Sequence, residues 1–220
     1  MVLCIADLLP PDRLAALRAG LAACRFVDGR ATAGWHAATV KANTQVAGDD
    51  PGLAALRGMV ERALAESALF QLAVRPKALT PPLFSRYGAG MAYGSHVDDA
   101  LMGGLRTDVS FTLFLSEPDA YEGGELVIET TAGEQAFKLA AGSLVLYPST
   151  TLHRVAPVGG GMRDVAVGWA QSLVRDPARR ELLFELDTAR RGLFAREGKS
   201  AEFDLISKSL ANLLRMWAEV

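Results

Sequence analysis

Hydrophobic positions along this chain change their period twice. Behind Pro10-Pro11, Leu14, Leu17 and Leu21 recur at three- and four-residue steps, which predicts an amphipathic helix. Leu53, Leu56, Val60 and Leu64 repeat the pattern and predict a second helix from about Pro51 to Ala68. Residues 2–6 read as a short strand, 26–34 (FVDGRATAG) as a loop, and 35–46 (WHAATVKANTQV) as extended or irregular chain. From Ala78 the texture becomes short β-like runs rich in Val, Phe, Leu and Tyr. They are PPLFSRYG, MAYGSHVD, RTDVSFTLFLS, GGELVIET, QAFKLAAG, SLVLYPS, HRVAPV and RDVAVGWAQSLV, punctuated by Gly and Pro. Many short strands at regular spacing predict a sandwich or barrel.

After Val174 the helical period returns. In RDPARRELLFELDTARR, Pro177 lies near a helix start and Leu182, Leu183 and Leu186 are expected to face inward. In SAEFDLISKSLANLLRMWAEV, Phe203, Ile206, Leu210, Leu213 and Trp217 fall on one face, and Ser200 is placed to cap it. The expected layout is one β domain over 1–175, with supporting helices in 1–77 and the β core in 78–175, followed by a helical extension over 176–220. Near the end, Leu213, Leu214 and Trp217 would serve either a homo-oligomer surface or docking on the barrel.

Composition narrows the function class. Half of the 220 residues are hydrophobic, enough for a full core. Net charge is −2 with both signs interspersed, which argues against a nucleic-acid partner, because gripping a phosphate backbone needs a clustered basic surface. Cys4 and Cys24 make neither a disulfide framework nor a zinc knuckle. The apolar start lacks a basic n-region and is interrupted by Asp7 and Pro10-Pro11, so neither a leader nor a membrane span is expected. The expectation is a cytoplasmic protein with no membrane partner.

The chemistry gathers around YGSHVDDALMGG at 93–104. On an extended chain alternate side chains share a face, so His96 and Asp98 can converge on one metal ion. Only three histidines exist. Of the other two, His153 lies where one strand ends and another begins, and His36 is the less suitable. Two His and one carboxylate make a facial triad that leaves positions open on iron, the arrangement of non-haem Fe(II) oxygenases. The same ligands could hold zinc for hydrolysis, and a lone H-x-D is also a common surface pair. Arg163 lies ten residues after His153 and alternates with Val165, Val167 and Trp169. A guanidinium heading an otherwise apolar barrel face needs an anion. 2-Oxoglutarate, which chelates Fe(II) at one end and carries a second carboxylate at the other, would supply it. The alternative places Arg163 at the surface, paired with Asp164 or Glu134.

RYGAGMAYGSHVD, RTDVSFTLFLSEPDAYEGGELVIE and AAGSLVLYPSTTLHRVAPVGGGMR together resemble the Fe(II)/2-oxoglutarate-dependent dioxygenases. More closely they resemble the bacterial PKHD-type hydroxylases, named for prolyl/lysyl hydroxylase domains, and DGRATAG and QSLVRDPARRELLFELD extend the likeness over most of the chain. The resemblance implies a mainly β fold with flanking helices, a double-stranded β-helix (jelly-roll) core with a C-terminal helical extension. It implies His96, Asp98 and His153 as iron ligands and catalytic centre. It implies Arg163 on the distal carboxylate of 2-oxoglutarate and Tyr87 as its helper, with half-buried packing the other use of that tyrosine. It implies hydroxylation of a small-molecule or peptidyl substrate with release of succinate and CO2, ascorbate serving as accessory reductant. A non-catalytic iron/2-oxoglutarate sensor on the same barrel is the alternative. Oxidative base demethylation fits less well, because the second arginine such enzymes carry six residues on is here Trp169. Tyr93 and Trp169 are expected as pocket wall or packing, Asn43 and Gln45 as candidate substrate contacts, and Gly123-Gly124 as a turn. Asp99 is expected to point away from Asp98 if the strand continues, or else to cap the loop, and DALMGG is expected to form a mobile loop at the entrance.

Overall fold

The computed structural model describes residues 1–220. Its helices are α1 (Pro11–Ala22), α2 (Leu53–Glu66), α3 (Ala68–Val74), α4 (Pro177–Glu197) and α5 (Ala201–Trp217). No helix is long and apolar enough to cross a membrane. The larger sheet runs, in spatial order, Leu3–Ile5, Leu144–Pro148, Val109–Phe114, Arg163–Ser172, Leu83–Tyr87, Thr44–Val46 and Phe26–Asp28, with Pro76–Leu79 also paired to Arg163–Ser172. The smaller sheet runs Gly133–Phe137, Leu126–Thr130, His153–Val155, Ala92–His96 and Lys41–Ala42.

From Leu83 onward the main strands alternate between the two sheets, except where the hairpin of Leu126–Thr130 and Gly133–Phe137 adds two successive strands to the smaller one. Leu83–Tyr87, Val109–Phe114, Leu144–Pro148 and Arg163–Ser172 lie in the larger one, and Ala92–His96, Leu126–Thr130 and His153–Val155 fall between them in the smaller. All pairings within both sheets are antiparallel. This is the expected jelly roll.

The strand VSFTLF at 109–114 shows why the chain folds this way. All six residues are buried. Val109, Phe111 and Leu113 face outward into a cluster built with Leu14, Leu17 and Leu21 of α1, Leu56, Val60 and Leu64 of α2 and Phe70 of α3. Each such side chain contributes roughly 1.5–3 kcal/mol by leaving water. The amino-terminal helices therefore cover the outer face of the larger sheet. The alternate positions Ser110, Thr112 and Phe114 face the barrel interior, where Phe114 joins Val145, Val165, Leu126 and Ile128 from both sheets. Gly168 lies opposite Phe111 in register, and a Cβ there would come within 2.5 Å of the ring.

Several local expectations need correction. The helix expected over 51–68 is α2, and a further helix, α3, follows it unexpectedly, set off by Ser67, which turns to an extended conformation and whose hydroxyl accepts the Phe70 N–H. FVDGRATAG begins with a strand, Phe26–Asp28, paired to Thr44–Val46. Within DALMGG, Leu101–Met102 pairs with Leu105–Arg106 across Gly103 and Gly104, both at positive φ, so the segment is a tight hairpin. Gly123 and Gly124 do make the expected turn, a bulge whose positive φ angles bring Gly123 against the Pro157 carbonyl.

The last helices pack on the barrel end. Leu183 and Leu210 are buried with Val174, and Leu186, Leu213, Leu214 and Trp217 lean on them. Leu182, expected inward, is 43% exposed, since α4 turns its neighbour Leu183 to the core instead. Ser200 caps α5 through the Phe203 N–H, as expected.

Candidate active site

The register of the smaller sheet brings the two sequence-distant histidines together. His153 opens its strand directly opposite His96, the last residue of Ala92–His96. Asp98 follows two residues on, and its Oδ2 is 3.8 Å from His153 Nε2. One ligand atom from each of His96, Asp98 and His153 lies within 4.8 Å of the others. His96 and His153 are buried, and their ring centroids are 4.3 Å apart.

Neighbours fix the orientation of all three. His96 Nδ1 donates to the Gly94 carbonyl at 2.8 Å and His153 Nδ1 donates to the Thr151 carbonyl at 3.0 Å. A carbonyl only accepts, so each Nδ1 carries the proton and each Nε2 is free to ligate. Burial, reinforced by His153, pushes His96 down to about 4, which keeps its imidazole neutral near pH 7. The Ser110 hydroxyl donates to Asp98 Oδ2 at 2.5 Å and is 2.8 Å from the Ser149 hydroxyl. Tyr93 stacks on His96 at 3.6 Å, and Tyr147 meets His153 edge-on at 4.9 Å.

The larger sheet supplies the other half. Arg163 opens its strand in register with Tyr87, and its guanidinium carbon is 5.1 Å from the Tyr87 ring and 5.5 Å from the Phe114 ring. Arg163 is 1% exposed, and none of its three guanidinium nitrogens has a hydrogen-bond partner. The surface alternative fails on this geometry. Asp164 is held by Arg86 at 2.7 and 2.9 Å, and Glu134 by Arg154 at 2.6 and 2.7 Å. A buried, unpaired cation costs several kcal/mol, so this one is built for an incoming anion. Burial pushes the Tyr87 phenol up, with Arg163 and the Asn43 amide opposing.

One pocket joins these groups. His96, Asp98, His153, Arg163, Tyr87, Tyr93 and Trp169 all line it, as do Asn43 and Gln45. The donor set suits iron: two neutral imidazoles and a carboxylate at one end, an unpaired guanidinium at the other. His36 is exposed beside Trp35 and belongs to no such cluster. Asp99 would point away from Asp98 only on a continuing strand, and the strand does not continue. The strand stops at His96, pleat alternation stops with it, and Asp99 lines the pocket beside Gly34.

Sequence reasoning missed Ser110, Thr112, Tyr147 and Lys41. For the first two a signal existed, since polar residues at period two inside an otherwise apolar buried strand mark an inward functional face. Lys41 lay in a segment read only as extended or irregular. Its strand pairs with Ala92–His96 in the register Lys41 to Tyr93, which carries it into the pocket.

Comparison with known proteins agrees with this geometry. Residues 82–171 match the model of the 2OG-Fe(II) oxygenase superfamily, and residues 177–219 match the PKHD-type hydroxylase C-terminal domain. The chain is 57% identical to a PKHD-type hydroxylase of Picosynechococcus sp., covering 98% of each chain. It is also 57% identical to one of Acaryochloris marina over the full length of both. Among solved structures it is similar to a prolyl-4-hydroxylase of Pseudomonas putida, with TM-score 0.51 and 25% identity over 78% of this chain and 92% of that one. A prolyl hydroxylase of Trichoplax adhaerens, in complex with a hypoxia inducible factor peptide fragment, shares the fold at TM-score 0.54 and 15% identity, over 78% of this chain and 83% of that one.

Proposed function

The chain belongs to the PKHD-type hydroxylases, oxidoreductases of the 2OG-Fe(II) oxygenase superfamily, and on that premise we propose that His96, Asp98 and His153 hold its iron and that it hydroxylates a C–H bond of a small-molecule or peptidyl substrate. The balance is substrate, O2 and 2-oxoglutarate in; hydroxylated substrate, succinate and CO2 out. The iron supplies dioxygen activation when bound.

The protein's own residues do the rest. The Nδ1–H bonds to Gly94 and Thr151 aim both imidazoles, and Ser110 holds the Asp98 carboxylate on the same side. Arg163 forks onto the distal carboxylate of 2-oxoglutarate, and the Tyr87 hydroxyl supports it. Tyr93, Tyr147, Val165 and Trp169 wall the cavity and limit water around the reacting groups. The pocket mouth, bounded by Gly34, Val97, Asp99 and Met102, admits the substrate. Ascorbate as accessory reductant and a cytoplasmic setting belong to the same reading.

The single observation that carries it is the fully buried, unpaired guanidinium of Arg163 in the same pocket as the three ligands. The test is succinate formation by purified protein with Fe(II), 2-oxoglutarate and air, beside metal titration. Asp98→Ala is expected to lose both metal binding and succinate. Unchanged turnover in that variant would overturn the assignment, and tight 2-oxoglutarate binding without any turnover would favour the sensor alternative.

A further inference from the structure

Arg163 is not the only cation buried in the pocket without an anion. Lys41 is 7% exposed, and its ammonium makes one hydrogen bond, to the Thr32 hydroxyl at 3.0 Å. No carboxylate lies within ion-pair distance. The two carboxylates near enough to favour its charge are Asp28, which ends the strand Phe26–Asp28 and is engaged by Arg30 through its side chain and backbone N–H, and Asp98 of the metal site. An ammonium has three donors, so two remain open. Thr32 is committed in turn, donating to Gln45 Oε1 at 2.6 Å, while Gln45 donates to Ser85 at 3.0 Å. This chain of bonds pins the ammonium where it is. Lys41 also sits 5.1 Å over the Tyr93 ring, the ring stacked on His96.

The two cations sit differently. Arg163 lies in the larger sheet beside Tyr87, whereas Lys41 comes from the short strand next to the His96 strand, on the segment bordering the mouth. On the proposed function above, Arg163 is used by 2-oxoglutarate and Asp98 by the metal. Lys41 is then left over, with the buried Asn43 lining the same pocket and its amide directed at the Tyr87 phenol. We propose that Lys41 is the substrate anchor, and that the substrate carries a carboxylate which pairs with its ammonium while the carbon to be hydroxylated lies over the metal site. Burial pushes Lys41 down to about 8, which still leaves it mostly charged at neutral pH.

This rests on the dioxygenase reading, and the test separates the two. Protein loaded with Zn(II), which binds without turning over, and with 2-oxoglutarate is probed by ligand-observed NMR. The probes are the free L-amino acids, the same amino acids as C-terminal amides, and tripeptides ending in the residues that bind. Free acids are expected to bind and amides to fail. Peptides binding as tightly as free acids would assign the carboxylate to a chain terminus, and peptides failing would assign it to a small molecule. Both results support the proposal. Lys41→Met is expected to weaken the carboxylate at least about tenfold, the scale of a charge-assisted bond, and Lys41→Arg to retain part of it. Calorimetric 2-oxoglutarate affinity in Lys41→Met should stay within about twofold of the parent, showing an intact fold, while Arg163→Met shows the reverse pattern. Equal binding of acids and amides, no binding of either, or full carboxylate affinity in Lys41→Met overturns the anchor. Failure of the parent protein to bind 2-oxoglutarate overturns the underlying function instead.

Discussion

At the scale of single residues, the pocket is a place where the fold is made less stable than it could be. Arg163 and Lys41 are both buried cations without anions, and each opposes folding until a ligand arrives. Arg163→Met should therefore raise the unfolding midpoint of the ligand-free protein while increasing the 2-oxoglutarate KM at least about tenfold, loss of a bidentate ion pair being the cause. Thermal melts of the ligand-free protein check the first half, and the rate of succinate formation against 2-oxoglutarate concentration checks the second. Lys41→Met should also stabilise the ligand-free protein, but with a pH dependence that arginine lacks. Lys41 titrates at about 8 in the folded chain against an ordinary 10.5, so the unfolded chain binds the extra proton between those values. Stability then rises with pH through that window. The advantage of Lys41→Met should be full below pH 8 and shrink toward pH 10.5, whereas that of Arg163→Met stays flat. Urea midpoints at pH 7 and 9.5 distinguish them. Ser110→Ala removes the donor on Asp98 and should weaken Fe(II) or Co(II) binding roughly 10–100-fold, with the fold retained.

At the scale of elements, what could be read from the sequence depended on whether partners were neighbours in one strand or across two. His96 and Asp98 were legible because strand geometry alone sets their spacing, and Arg163 because it breaks an alternating apolar run. The direct register of His153 on His96, and of Arg163 on Tyr87, is a property of pairing between distant segments. That pairing converts separate guesses into one pocket. Lys41 shows the limit. Its strand is two residues long and exists only because the Ala92–His96 edge pairs with it. No local period announces such a strand. The helix Ala68–Val74 is a second case, since its seven residues are too few for an apolar period to mark it even though Ser67 is there to cap it. The tight approach of Phe111 to Gly168 yields an element-scale prediction. Gly168→Ala should destabilise the protein by about 1–3 kcal/mol through overpacking, read as a lowered urea midpoint with an unchanged slope.

At the scale of the whole molecule, the question is whether residues 176–220 form an appendage or a part of the barrel. Arg180 of α4 is 5% exposed and donates to the Val174 and Arg175 carbonyls at 2.7 Å, and to the Asp108 carbonyl at 3.4 Å. Asp108 in turn accepts from Arg106 and from the Ser172 N–H, both at 2.8 Å. It lies two residues before Ser110, whose hydroxyl holds Asp98. The Glu219 N–H returns to the Leu173 carbonyl at 2.7 Å, and the Glu219 carboxylate meets Arg106 at 2.9 Å. The helical pair is thus tied to the strand that supports the metal-site carboxylate. We expect it to unfold with the barrel, in one urea transition seen alike by far-UV circular dichroism and tryptophan fluorescence, since Trp169 reports the barrel and Trp217 the last helix. Arg180→Ala strands the carbonyls it serves and should cost about 3 kcal/mol, hydrogen bonds to a charged group being worth roughly 1.5–3 kcal/mol each before compensation by water. It should also loosen metal binding without touching the pocket. Two separate transitions, or Arg180→Ala protein with parental metal affinity at a temperature where it is folded, would show that the extension is independent of the site.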